Sequence, residues 1–179
     1  MPSLQTLRLD LRSFIEQDLH RMAELMANND FMRFSLGVHS RAQTGAFLER
    51  VRTRDRQGLP SQFGVIFRAN ERLIGYCGFF AQIVDEVEEL EIAYRIDPEY
   101  WSQGIATEAA RAVHDYGFDQ LKLTRLISLI HPENAASKRV AEKNGLKPEK
   151  QTVFRGFPTI VYSISQRQYQ AMLSPGAAE

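Results

Sequence analysis

The stretch Arg95-Ile-Asp-Pro-Glu-Tyr-Trp-Ser-Gln-Gly-Ile-Ala-Thr-Glu-Ala109 decides how this chain is read. An alternating apolar pattern runs into it and stops at Pro98. A short loop follows, and a helical pattern begins at Gly104. The start of a helix leaves about four backbone N–H groups unpaired at the positive end of the helix dipole. Such groups suit a pyrophosphate. Gly104 has no Cβ to hold a phosphate away, Ala106 adds little bulk, and Thr107 brings a hydroxyl donor. A plain loop-to-helix junction, with Gly104 there for backbone freedom, accounts for the same residues. The stretch has neither the Gly-Lys-Ser/Thr of a P-loop nor a GxGxxG turn, so by itself it is an anion-site candidate of low specificity.

On its N-terminal side, Leu90, Ile92, Tyr94 and Ile96 alternate with Glu89, Glu91, Ala93 and Arg95. One face of this strand, Glu88–Ile96, is apolar and the other carries two carboxylates. A strand with one face in water has that pattern. Its place among the other predicted strands makes it central, however, and a carboxylate on a covered strand requires a reason. On the C-terminal side lie a helix over Gly104–Phe118, a strong apolar strand over Leu123–Ile130, and a short helix over Asn134–Lys143. Asn134 is a good N-cap for that last helix, and Asn144-Gly145 is a good stop.

Further out, Leu7, Leu9 and Leu11 alternate with polar residues as a half-buried strand does. Helical spacing runs from Ile15 to Ala27 and again from Arg41 to Asp55. The arginines of the second helix, Arg50, Arg52, Arg54 and Arg56, read as a solvated face. Asn28–His39 has no period. Gln62–Arg68 and Leu73–Phe80 form a hairpin around Ala69-Asn70-Glu71, and Phe154 with Thr159–Ser165 a last hairpin around Gly156-Phe-Pro158. The resulting order, β α α β β β α β α β β, predicts one α/β domain over residues 1–179. Its sheet is mixed and mostly antiparallel, with about seven strands and flanking helices. Residues 174–179 read as a frayed end.

The chain has 179 residues, 44% of them apolar, enough for one sizeable core. Its 22 basic and 22 acidic residues cancel. No global field therefore draws it to nucleic acid or an anionic membrane, and neither is expected as a partner. Cys77 is the only cysteine, which rules out an internal disulfide and fits a cytoplasmic setting. No signal-peptide pattern opens the sequence, and no apolar run approaches the ~18 residues of a membrane span. His20, His39, His114 and His131 are scattered, so no metal is expected. Cys77 in an apolar strand reads as structural. Tyr100, Trp101, Phe79 and Phe80 read as packing residues.

Trp101-Ser-Gln-Gly-Ile-Ala-Thr-Glu-Ala109 resembles motif A of the GNAT superfamily, Gln/Arg-x-x-Gly-x-Gly/Ala, in the form seen in its RimJ/RimL branch. Gly104 and Ala106 match, and Trp101 stands where the general pattern has Gln or Arg. Asn134-x-x-Ser137 followed by Glu142-Lys-x-Gly145 resembles motif B, and Glu91-Ile-Ala-Tyr94 resembles the glutamate-led strand before motif A. Leu7-x-Leu-x-Leu-Arg12, Asp18-Leu19, Met32-Arg33-Phe34 and Ile74-Gly-Tyr-Cys-Gly78 extend the likeness over nearly the whole chain.

The resemblance implies an acetyl-CoA-dependent N-acetyltransferase that moves an acetyl group directly to a primary amine. By it, Gln103, Gly104, Ile105, Ala106 and Thr107 hold the pyrophosphate, the backbone of Tyr94, Arg95 and Ile96 pairs with the pantetheine arm, and Asn134 and Ser137 flank the thioester. Glu91 is the candidate base. Many members carry a tyrosine acid seven residues after the motif B asparagine; that position is Ala141, which leaves Ser137 as the nearest substitute and Tyr94 as a weaker one. Asp85, Glu86, Glu88 and Glu89 are expected to attract a cationic amine. The expected acceptor is a protein or peptide N-terminus, with a small amine such as a polyamine or amino sugar as the alternative. A non-catalytic acyl-CoA-binding domain is the rival from another class, and a homodimer stays open. Acceptor selection is expected in Asn28–His39 and at Gly156-Phe-Pro158.

Overall fold

A computed structural model describes residues 2–173. The elements run β1 (Leu4–Gln5), β2 (Leu9–Arg12), α1 (Asp18–Met26), α2 (Arg41–Arg56), β3 (Gln62–Phe67), β4 (Arg72–Val84) and β5 (Val87–Ile96). A single 3-10 turn at Pro98–Tyr100 leads to α3 (Ile105–Asp119), β6 (Arg125–Ile130), α4 (Ala135–Lys143), β7 (Lys147–Phe154), β8 (Phe157–Ser165) and α5 (Gln166–Leu173). The strands form one eight-stranded sheet in the order β1-β2-β3-β4-β5-β6-β8-β7. Every neighbouring pair is antiparallel except β5 with β6. This is the expected mixed, mostly antiparallel α/β architecture, and the acidic strand β5 is central.

Apolar side chains on the two sides of the sheet make two main core layers. In one, Met22, Met26, Phe47 and Val51 of α1 and α2 pack with Ile66, Leu73 and Tyr76. In the other, Ile105, Ala109, Val113 and Phe118 of α3 pack with Ile92, Ile96 and Leu126. Burying such a side chain contributes about 1.5–3 kcal/mol, so these layers fix the frame on which the site is built. Gly75 lets β4 approach β5: its φ is +150°, and a Cβ there would sit 2.0 Å from the Arg95 carbonyl oxygen.

The structure corrects several expectations. Helix α1 starts at Asp18 rather than near Ile15, because the buried Asp18 carboxylate accepts from the Ile15 N–H at 2.9 Å and from both Arg12 Nη atoms at 2.7 and 2.8 Å. That bond makes a turn of the residues before it. Leu7 lies outside β2 and is 88% exposed. Strand β4 runs four residues past Phe80 and turns into β5 at Asp85 and Glu86 (φ 50° and 67°), the two-residue geometry of a tight hairpin. The last hairpin turns at Arg155 and Gly156 (φ 51° and 84°), with Phe157 and Pro158 already in β8. Strand β1, most of β7, and α5 were not expected. The proposed frayed end, 174–179, lies outside the described residues.

Candidate active site

The turn between β5 and α3 is held open by its own backbone. Ser102 and Gly104 both adopt left-handed conformations, φ 60° and 78°. Gly104 is the N-cap of α3, a helix of 15 residues. The first backbone bond into the helix runs from the Glu108 N–H to the Gly104 carbonyl at 3.0 Å, which leaves the N–H groups of Ile105, Ala106 and Thr107 ahead of it without helical partners. A Cβ on Gly104 would meet only Arg8 Nη2, at 3.6 Å. The glycine is therefore required by the backbone angle, and the space beside it is free. These donors fit a pyrophosphate.

Two side chains brace the turn. The Trp101 indole Nε1 donates to the Ile96 carbonyl at 2.6 Å and latches the turn to the end of β5. Arg8 donates to the Gln103 carbonyl at 2.9 Å while its Nε reaches Glu108 at 2.7 Å. Glu108 also accepts from the Thr6 hydroxyl at 2.6 Å and the Arg8 N–H at 2.9 Å. Neither brace had a signal in the sequence. Trp101 was read as packing, yet it is 44% exposed and acts through one hydrogen bond.

Beside this turn the sheet parts. Strands β5 and β6 share one registered backbone pair, Glu91 with Ile127. Just beyond it, the Ser128 hydroxyl caps the Ile92 carbonyl at 2.9 Å. After that the edges diverge, and Ala93, Tyr94, Arg95, Leu129, Ile130 and His131 line a cavity of about 760 Å³. The sheet therefore splays beside Ala93, Tyr94 and Arg95.

Glu91 sits where the strands part. Its side chain is 8% exposed, and Gln82 Nε2 donates to it at 2.7 Å. Burial pushes its carboxyl up to about 7; the hydrogen bonds from Gln82 and the Leu129 N–H, and the charges of Arg155 and Arg95, act weakly the other way. Across the cavity Asn134 caps α4 by accepting from the Ser137 N–H at 3.1 Å. The Tyr94 hydroxyl donates to the Ser137 carbonyl at 3.2 Å, and burial pushes the Tyr94 phenol up. The Ser137 side chain also bonds the Tyr94 phenol, which acts weakly against the effect of burial. Glu91, Tyr94, Arg95, Asn134 and Ser137 all line the one cavity, whereas Gln103 to Thr107 lie on the turn outside its lining. Ala141 is 3% exposed and packs in the core.

The acidic cluster does not line the cavity. Asp85 and Glu86 form the β4–β5 turn; Asp85 pairs with Lys150 at 2.7 Å and Glu89 with Arg125 at 3.0 Å. Neither they nor Glu88 line it. Arg50, read as part of a solvated face, does. Arg52 and Arg56 pair with Glu49 as a surface face should, and Arg54 donates to the Pro60 carbonyl. Segment Asn28–His39 closes one side of the cavity: Arg95 Nη1 donates to the carbonyls of Phe31 and Arg33 at 2.8 and 3.0 Å. Cys77 is fully buried, and burial pushes its thiol up, as befits a packing residue.

With this geometry in place, comparison with known proteins is informative. The acetyltransferase (GNAT) domain family matches residues 8–147. An uncharacterized N-acetyltransferase of Bacillus subtilis, YoaA, is 30% identical over 174 residues, covering 91% of this chain and 96% of its own. The spermidine N(1)-acetyltransferase of Escherichia coli K12 is 28% identical over 184 residues, covering 96% and 92%. Among solved structures, a GNAT-family acetyltransferase from Bacillus anthracis superposes with a TM-score of 0.78 at 28% identity, covering 93% of this chain and 99% of that one.

Proposed function

The chain belongs to the GNAT acetyltransferase family, whose enzymes draw their acetyl group from acetyl-CoA, and we propose that it delivers that group directly to a primary amine with Glu91 as base. The observation that carries this reading is a buried carboxyl, held near about 7, at the point where β5 and β6 part. A general base works best when its pKa lies near the working pH. Acetyl-CoA supplies the activated thioester. The α3 N-terminus anchors its pyrophosphate, and the edge of β5 at Tyr94–Ile96, whose last carbonyl is already held by Trp101, receives its pantetheine amides. Glu91 takes the proton of the acceptor ammonium, directly or through one water. The amine nitrogen then bonds to the acetyl carbon, the carbon–sulfur bond breaks, and the sulfur leaves as thiolate, which takes up the second proton released by the nitrogen. The Ser137 hydroxyl, beside the Asn134 cap, stabilises that thiolate, and the neutral Tyr94 phenol fixes the first turn of α4 on which Ser137 stands.

The acceptor in this reading is a protein or peptide N-terminal amine. The Trp101-led turn and the Asn134-x-x-Ser137 helix start support a place beside the RimJ/RimL branch, and the cavity between 28–39 and the β7–β8 turn suits an extended chain end. Cys77 as the single, buried cysteine is in keeping with a cytoplasmic setting. A polyamine is the second reading, favoured by the Escherichia coli relative. Initial rates on a peptide panel and a small-amine panel separate the two. Turnover of small amines alone ends the N-terminal reading.

A further inference from the structure

The cavity beside Glu91 carries more cationic than acidic side chains. Arg33, Arg50, Arg95 and Arg155 line it, against Glu91 and Glu133 as the only lining acids among the described residues. Of the thirteen arginines outside the cavity, seven have a close carboxylate partner. Arg8, Arg12, Arg21, Arg52, Arg56, Arg72 and Arg125 each meet a carboxylate within 3.0 Å. Among the described residues the four in the cavity form no ion pair. Arg33 and Arg155 lie over the rings of Phe34 and Phe154, at 5.1 and 5.0 Å. Arg155 donates to the Gln82 amide oxygen at 3.1 Å, and Arg95 bonds the two loop carbonyls and the Tyr76 phenol, all of them neutral partners.

The rest of the cavity fits the same picture. Its floor is apolar, made by Met26, Phe47, Tyr76 and Phe80. His39 has a buried Nδ1 without a partner, and burial together with the charges of Arg95 and Arg50 lowers its pKa, so at neutral pH it adds no further charge. A polycation entering here would meet four guanidinium groups balanced only by Glu91 and Glu133 among the described lining residues. An acceptor that brings its own anion would pair with them, because Arg suits carboxylate geometry.

We propose that the acceptor carries a carboxylate near its reactive amine, and that Arg33, Arg50, Arg95 and Arg155 bind this carboxylate while the amine reaches Glu91. The inference rests on the reading of Glu91 as base and of its cavity as the acceptor site. The carboxylate can come from an acidic side chain near a peptide N-terminus or from a free amino acid.

The test compares initial rates for matched acceptors. Peptides with Asp or Glu at the second and third positions are set against their Asn and Gln counterparts, free amino acids against their amides, and spermidine stands alone. The acidic member of one set is expected to show kcat/KM at least about tenfold higher, with a gap that shrinks as salt rises. Which set shows the gap identifies the source. Arg50→Gln with Arg155→Gln, both at exposed positions, should narrow the gap, and Arg50→Lys with Arg155→Lys should largely keep it. Equal rates within every pair, a preference for spermidine, or a gap indifferent to the Gln variants would overturn the proposal. Glu91→Gln separates the two levels: full activity in that variant removes the site reading itself, whereas its loss together with equal rates within pairs removes only the anionic acceptor.

Discussion

Replacing Glu91 with Gln tests the central residue by two independent measurements. The carboxyl titrates near about 7 instead of its usual 4.5, chiefly because it is buried. The folded protein therefore holds this proton more tightly than the unfolded chain does. The stability it contributes is complete below 4.5, falls as pH rises, and is lost above 7. At about 1.36 kcal/mol per pH unit, the interval between 4.5 and 7 corresponds to about 3 kcal/mol. Gln keeps the shape and an oxygen to accept from Gln82, but it never acquires the charge. Denaturant unfolding at pH 5 and pH 8.5 should show the variant gaining about 2–3 kcal/mol relative to the parent between the two conditions. Over the same range the parent's kcat/KM should rise with pH and level off above 7, while the variant is slower by about 10²–10⁴. A stability difference that stays flat with pH would refute the buried-charge argument. An unchanged rate would refute the base.

Three further substitutions probe the cofactor side. Gly104→Ala meets no steric neighbour but keeps a left-handed φ, so it should cost about 1–2 kcal/mol in thermal unfolding and raise the KM for acetyl-CoA. Trp101→Phe removes the indole bond to the Ile96 carbonyl, for a loss of about 1 kcal/mol and a KM for acetyl-CoA several-fold higher, with kcat little changed. Ser137→Ala removes the side-chain bond to Tyr94 but leaves that phenol its bond to the Ser137 carbonyl, so it should cost no more than about 1 kcal/mol in unfolding, and it should lower kcat by about tenfold to a hundredfold in initial-rate measurements.

The fold was legible where burial imposes a period. Strand β5 and helix α3 each have one strongly apolar face, and Pro98 and Gly104 mark the join between them. What escaped was structure without such a face. Strand β7 is a sheet edge whose Lys147–Gln151 are all exposed, so no alternation marks it. Helix α5 follows β8 directly, with no turn residue to announce it. The site divided in the same way. Glu91, Asn134 and Gly104 stand out because a carboxylate on a covered strand, a cap and a glycine at a helix start each break or mark a local pattern. Arg50 shares a charge run with Arg52 and Arg56 and differs only in what the neighbouring strands bring beside it. Two of the acids at 85–89, Asp85 and Glu89, are neutralised by Lys150 and Arg125 from β7 and β6, partners that lie far off in the sequence.

The single registered pair between β5 and β6 has a mechanical meaning. To one side of it lies a five-strand sheet with continuous antiparallel bonding, and to the other a three-strand sheet. The backbone that joins them is a rivet at Glu91 and Ile127, with a gap above it. A pantetheine chain lying in that gap would work as a removable splint, bonded to one half and packed against the other. Amide hydrogen exchange should then report saturation of the enzyme mainly along this seam, as the two halves cease to open independently. Glu91, the proposed base, sits on the rivet itself, at the place along the seam where breathing would displace it least.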